Sequence, residues 1–139
     1  RTSSFPGRTQ QINLFLVNKA FYFVDLPGYG FAKLSQKGRK VLRDLIFWYL
    51  FDSGYLQKKI VLIIDAFIGP TSDDLEILRA LEENRKEIVV VANKIDKIKT
   101  SVYENQLQKI QKLIGVHKVI PYSSSTRIGV RELLSEILT

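Results

Sequence analysis

The sequence predicts a three-layer α/β sandwich on a mostly parallel sheet, entered through an antiparallel N-terminal hairpin. Two short runs rich in Phe, Val and Leu, residues 12–17 and 21–24, flank Asn18-Lys19-Ala20 and read as the hairpin. Two nearly continuous β-branched and Leu runs, 59–65 and 87–92, have the composition of strands buried on both faces of a parallel sheet. Apolar residues at helical spacing fill the segments between and after them.

In chain order, the hairpin gives way to a turn-forming stretch, Pro27-Gly28-Tyr29-Gly30. Residues 38–51 then place Val41, Leu42, Leu45, Ile46, Tyr49 and Leu50 at helical intervals. Strand 59–65 is followed by helix 73–84, with Leu75, Leu78 and Leu81 on one face. Strand 87–92 is followed by helix 104–114, carrying Leu107, Ile110 and Ile114. Strand 118–122 leads to a last helix on which Val130, Leu133, Leu134, Ile137 and Leu138 follow the i, i+3, i+4, i+7, i+8 template. Neither an internal repeat nor a low-complexity linker divides the 139 residues, so one domain is expected.

Composition narrows the chemistry. With 45% hydrophobic residues the chain can bury its own core, and with no cysteine it has no disulfide, no thiolate metal site and no cysteine nucleophile. The apolar run 60–64 is stopped by Asp65, far short of the ~20 residues of a membrane span, so no membrane partner is expected. The expectation is a soluble protein of the cytoplasm, or of an organelle. Lys and Arg number 21 against 14 Asp and Glu, a formal charge of +7, which suits a polyanionic partner such as RNA and equally a merely basic surface. No methionine and no signal peptide are present, so the native start is expected upstream.

In such sheets ligands meet the carboxyl ends of the strands. Asn93-Lys94-Ile95-Asp96 stands directly after the buried run 88–92. An ionised Asp is acceptor-only and can take hydrogen bonds from the adjacent N1–H and N2–H2 donors of guanine, an arrangement that adenine lacks. The Asn amide can bond both base and loop, and the Lys stem can cover the ring face. The same residues would also serve as a polar strand-to-helix loop in which Asp96 or Thr100 acts as a cap.

Three weaker patterns accompany it. Asp25-Leu26-Pro27-Gly28 ends the second hairpin run, where a carboxylate could hold Mg2+ through water and the Gly28 N–H could approach a terminal phosphate. A tight turn with a capping Asp explains it as well. Tyr122-Ser123-Ser124 closes the last strand, where a backbone N–H can meet guanine O6, or the serines can simply cap a turn. Pro6-Gly7-Arg8-Thr9-Gln10 precedes Gln11 and the first strand: its threonine is a candidate Mg2+ ligand, or the Pro-Gly pair is a turn feeding an edge strand.

With these motifs in order, the sequence resembles the EngB (YihA/YsxC) family of ribosome-assembly GTPases, within the small Ras-like P-loop GTPases. Arg1-Thr2-Ser3-Ser4, Pro6 to Gln10 and Val24 to Lys33 are similar to its switch regions, and Gly69-Pro70-Thr71, Asp73-Asp74-Leu75, Asn93 to Asp96 and Tyr122-Ser123-Ser124 continue the match. The resemblance implies GTP or GDP as ligand, contacted by Gly7, Arg8, Thr9, Gln10, Gln11, Asp25, Leu26, Pro27, Gly28, Asn93, Lys94, Ile95, Asp96, Tyr122, Ser123 and Ser124. It implies Mg2+ as cofactor, at Thr9 and Asp25, and a large-subunit ribosomal particle or its rRNA as partner, with no DNA.

Phe5 stands where the family usually has Thr, and Asn93 where Thr is frequent. Tyr29 follows Gly28 in place of the water-orienting glutamine of Ras-type enzymes, so hydrolysis is expected to be slow unless a partner or a monovalent cation such as K+ raises it. The phosphate-loop pattern G-x-x-x-x-G-K-[ST] occurs nowhere in these residues. The family places that loop, with its strand and first helix, upstream of residue 1. The expectation is therefore an N-terminally truncated GTPase domain over residues 1–139, with little nucleotide affinity and no turnover alone. The missing strand would lie between the hairpin and strand 59–65. A non-catalytic RNA- or protein-binding module derived from such a domain is the alternative, although intact guanine and Asp25–Gly28 motifs favour truncation. Asp96 disfavours an adenine-nucleotide enzyme, and His117, the only histidine, reads as a surface residue.

Overall fold

A computed structural model describes residues 11–29 and 34–139 of the chain. After Leu56 it divides into two compact units.

In the first unit, strands β1 (Asn13–Val17) and β2 (Phe21–Asp25) pair antiparallel, with Val17 opposite Phe21 and Asn13 opposite Asp25. The reversal uses Asn18 and Lys19 at φ of 51° and 55°, and the Ala20 N–H closes it onto the Val17 carbonyl at 2.9 Å. Asn tolerates the left-handed region; Lys adopts it at a cost that the hairpin offsets. Helix α1 (Gln36–Phe47) begins two residues before the predicted 38, because the Ser35 hydroxyl caps it by accepting from the Gly38 N–H at 3.1 Å.

The predicted α-helix to residue 51 is not regular to its end. Trp48–Asp52 form a π-helical turn in which the Ser53 N–H reaches back five residues to the Trp48 carbonyl. Two consecutive side chains there, Tyr49 and Leu50, are both buried.

In the second unit, β3 (Ile60–Asp65), β4 (Ile88–Asn93) and β5 (Val119–Pro121) form a parallel sheet in the order β3-β4-β5. Helices α2 (Ser72–Glu83), α3 (Tyr103–Ile114) and α4 (Val130–Leu138) connect and follow the strands. Alternating β and α with short connections is the arrangement that parallel pairing requires. Central β4 is buried on both faces from Val89 to Ala92, as its composition predicts. Edge strand β3 is buried on one: Leu62 and Ile64 are covered, while Ile63 is 60% exposed.

Helix α2 opens with a reciprocal capping box, the Thr71 hydroxyl accepting from the Asp74 N–H and the Asp74 carboxylate accepting from the Thr71 N–H. This gives the Gly69-Pro70-Thr71 and Asp74 residues a local structural task. His117, expected at the surface, is half-buried, its Nε2 2.7 Å from Glu82 Oε1. Among the described residues no helix is long and apolar enough to cross a membrane.

Candidate guanine-reading edge

The carboxyl ends of β3, β4 and β5 lie side by side because the register places Asp65 opposite Asn93 and Ala92 opposite Pro121. Backbone bonds carry the alignment past the strands. The Ala66 N–H donates to the Asn93 carbonyl at 2.7 Å, the Tyr122 N–H to Ala92 at 2.9 Å, and the Ile95 N–H to Tyr122 at 3.2 Å. Two segments singled out in the sequence, 93–96 and 122–124, therefore form one polar edge, and the end of β3 at Asp65 lies beside them.

Each member of Asn93-Lys94-Ile95-Asp96 is held differently. The Asn93 side-chain oxygen accepts from the Ser124 N–H at 3.4 Å, a long contact that ties the two loops. Lys94 sits in the left-handed region at φ 66°, and its ammonium donates to Asp65 Oδ2 at 2.7 Å. Buried Ile95 anchors the short 3-10 turn Ile95–Lys97 to the core. Asp96 is exposed, and its Oδ1 accepts from the Ser123 hydroxyl at 2.8 Å. An ionised carboxylate has about four lone-pair sites, so one serine bond orients it and leaves acceptors for two donors of a base.

Ser123 is fully buried. Its hydroxyl also accepts from the Thr126 N–H at 3.1 Å, and its own N–H donates to Ile128 at 3.0 Å, so the loop 122–129 folds back over the end of β5. That closure needs glycine at 129. Gly129 adopts φ +84°, and a β-carbon there would collide with the Pro121 carbonyl oxygen.

By sequence alone Asp65 is only the residue that stops an apolar run; the structure gives it a part in the edge. Its Oδ1 accepts from the Phe67 N–H at 2.9 Å and the Ile68 N–H at 3.4 Å, while Oδ2 holds Lys94. Burial pushes its carboxyl up, but the Lys94 hydrogen bond, the two amide donors and the Lys94 charge together bring it below the ordinary value. The rule that points to Asn93 and Ser123, a polar residue closing a buried parallel strand, also points to Asp65. Gln106 is a second addition: its Nε2 donates to the Ala66 carbonyl at 2.9 Å and fixes the turn after β3.

The other predicted residues are placed in the first unit or fall outside the described part. Asp25 is the exposed last residue of β2, followed by half-buried Leu26, buried Pro27 and half-buried Gly28, with exposed Gln11 ahead of β1. Gly7, Arg8, Thr9 and Gln10 lie outside the described residues, as does Lys33. A lone exposed carboxylate suits the water-mediated Mg2+ contact predicted for Asp25, since Mg2+ keeps several of its waters when bound.

Known proteins are similar to this chain in sequence and in fold. A family model described as "Ferrous iron transport protein B" matches residues 1–137. The "Probable GTP-binding protein EngB" of Lactobacillus helveticus is 40% identical over 137 residues, which take in 96% of this chain and 69% of that protein. Among solved structures, the chain is similar in fold to the crystal structure of a probable GTP-binding protein engB, with a TM-score of 0.80, 22% identity, and coverage of 98% of this chain and 84% of that one. It is also similar to Era in complex with MgGDPNP and nucleotides 1506–1542 of 16S ribosomal RNA, with a TM-score of 0.75, 26% identity, and coverage of 99% of this chain and 46% of that one.

Proposed function

This chain belongs to the EngB family of GTP-binding proteins, and from that premise we propose that it is the guanine-reading and switch-bearing part of a GTPase that assists assembly of the large ribosomal subunit. The observation that carries the reading is the joined edge of β4 and β5, where Ser123 aims the Asp96 carboxylate and Ser124 is tied to Asn93. Asp96 accepts from guanine N1–H and N2–H2, Lys94 covers the ring with its stem, and an amide of the Tyr122-Ser123-Ser124 loop meets O6. Asn93 links base and loop, and Ile95 seats the motif in the core.

In the first unit, Asp25 and Gly28 would take the phosphate side, Asp25 helping to hold Mg2+ and Gly28 offering its N–H, with Leu26 and Pro27 shaping the turn. Gly7, Arg8, Thr9, Gln10 and Gln11 would sense the terminal phosphate, and Thr9 would help to hold Mg2+. That ion supplies neutralisation of charge on the β- and γ-phosphates. A monovalent cation or a bound partner raises turnover where Tyr29 replaces a water-orienting glutamine. The phosphate-loop pattern is not among residues 1–139, and the triphosphate is held chiefly by residues outside them.

The RNA partner is supported by the rRNA in the Era complex and by the charge on α1, where Lys37, Arg39, Lys40 and Arg43 stand against Asp44. Trp48, the single tryptophan, lies at the end of that helix and is 48% exposed, so its fluorescence reports on this surface.

Replacing Asp96 by Asn tests the base assignment. The amide offers a donor where guanine presents one, so GDP affinity of these residues joined to a phosphate loop should fall at least ~100-fold while XDP affinity rises, because xanthine carries a carbonyl at C2. Unchanged preference for GDP would remove Asp96 from the site.

A further inference from the structure

Asp65 pins the Lys94 ammonium from the neighbouring strand, and we propose that it is a positioning residue for base recognition, setting the path of the lysine stem across the guanine site. This deepens the guanine-reading assignment and rests on it.

The strand register puts Asp65 directly across from Asn93, and the Ala66 N–H to Asn93 carbonyl bond continues the pairing one step beyond the last strand residue. The ends of β3 and β4 therefore cannot slide relative to each other without losing backbone bonds. The carboxylate is itself immobilised. Two consecutive amides, Phe67 and Ile68, donate to Oδ1, so Oδ2 is left facing Lys94 in a fixed direction. The Ala66 carbonyl in the same turn accepts from Gln106 on α3, which ties the turn to a helix.

On the other side of the contact, Lys94 has little backbone freedom. Its left-handed φ of 66° is sustained by the Lys97 N–H to Lys94 carbonyl bond at 3.0 Å that closes the adjoining turn. A lysine side chain has four rotatable bonds and, unpaired, would sweep a wide arc. Bonded at 2.7 Å to a carboxylate that is 25% exposed, it is restrained while its own side chain stays 45% exposed and able to present its methylenes. Asp96 is oriented from the opposite side by Ser123 on the β5 loop. The motif is thus clamped from both flanks, Lys94 from β3 and Asp96 from β5, and a base entering between them pays less ordering entropy than at an unrestrained site.

The carboxyl-end position alone would make Asp65 an ordinary turn cap. The cap uses Oδ1, however, and the lysine uses Oδ2, so the two tasks are separable by substitution. Asp65→Asn keeps an oxygen for the Phe67 and Ile68 amides and removes the charge that holds the ammonium. Asp65→Ser, with its own hydroxyl cap, is a second variant should the first unfold.

The test is carried out on the 139-residue chain by amide NMR, titrating guanosine, inosine and xanthosine 5′-monophosphates in the millimolar range. The Lys94 ammonium resonance, assigned with Lys94→Met, should be protected in the native chain and lost in Asp65→Asn, with the fold retained. Asp65→Asn should weaken guanosine and inosine monophosphate alike by about tenfold, since a stem over the ring does not read the exocyclic amine. In the Lys94→Met background it should cause no further loss. An equal loss in both backgrounds would make Asp65 a structural residue only and overturn the proposal. Absence of any guanosine-induced shift at residues 93–98 and 122–128 in the native chain would instead sink the guanine-reading assignment, and this inference with it.

Discussion

The edge formed by β4 and β5 and the hairpin of β1 and β2 are both strand pairs that end in a functional motif, yet they are stabilised in different ways. Val89, Val90, Val91, Ala92 and Ile120 are buried around the first, and the side chains of Asn93, Lys94, Asp96 and Ser123 at its end each have a named partner. In the hairpin, Leu14, Phe15, Leu16, Tyr22 and Phe23 all remain exposed, although they are as apolar as the residues of β4. Register in the hairpin is set by local means, the Asn18-Lys19 reversal and the ladder, while the edge-to-face contact of Phe21 and Phe23 at 5.2 Å lies within β2 alone. In the sheet a register slip would be penalised at β3, which buries Leu62 and Ile64 but not Ile63, against a β4 buried on both faces. The difference teaches that pairing alone forms a motif's backbone, whereas fixing its side chains takes a packed layer beneath them.

Substitutions at two glycines sharpen the contrast most. Gly129→Ala meets both a positive φ and a backbone oxygen that cannot move without breaking the loop over β5, so a loss of about 3 kcal/mol is expected in urea unfolding. Gly54 has φ +77° but nothing within 4 Å of an added β-carbon, and Gly54→Ala should cost only about 1 kcal/mol. Similar losses at the two positions would show that the loop 122–129 is not seated as described. Next in size, Val90→Ala empties a fully buried position in β4 and should lower stability by about 2 kcal/mol, while Phe15→Ala in the hairpin should change it by less than about 0.5 kcal/mol. A large effect of Phe15→Ala would mean that the hairpin's apolar residues are covered in solution.

Most of the second unit is legible in the sequence because its signals are local and repeated. Strand runs and helix periodicity each appear within a few residues, and Asn93 to Asp96 occupies the strand end where ligand contacts concentrate. The π-helical turn at Trp48 is not legible, because apolar spacing cannot tell a widened turn from a regular one when Tyr49 and Leu50 are both apolar. The exposure of Ile63 on β3 is not legible either: composition marks a strand fit for burial on both faces and does not say whether both are covered. Asp65 escapes sequence reading because its role depends on a lysine 29 positions away. Such a pair is created by parallel register, and only the register of Asp65 with Asn93 makes it visible.

The smallest expected effect concerns that pair and pH. Asp65 has a folded-state pKa below its ordinary 3.8, its burial being outweighed by the Lys94 bond, the Phe67 and Ile68 amides and the lysine charge. A carboxylate depressed on folding contributes stability that is fully present above the unfolded value and is lost as pH falls through the folded one. The stability difference between the native chain and Asp65→Asn should therefore stay constant from neutral pH down to about 5, then shrink below 3.8 as the native carboxyl protonates. Urea unfolding of both chains at stepped pH measures it, with the Asp65 carboxyl resonance as a direct monitor. A difference that persists undiminished well below the folded pKa would mean that the Lys94 contact is not what distinguishes the two chains.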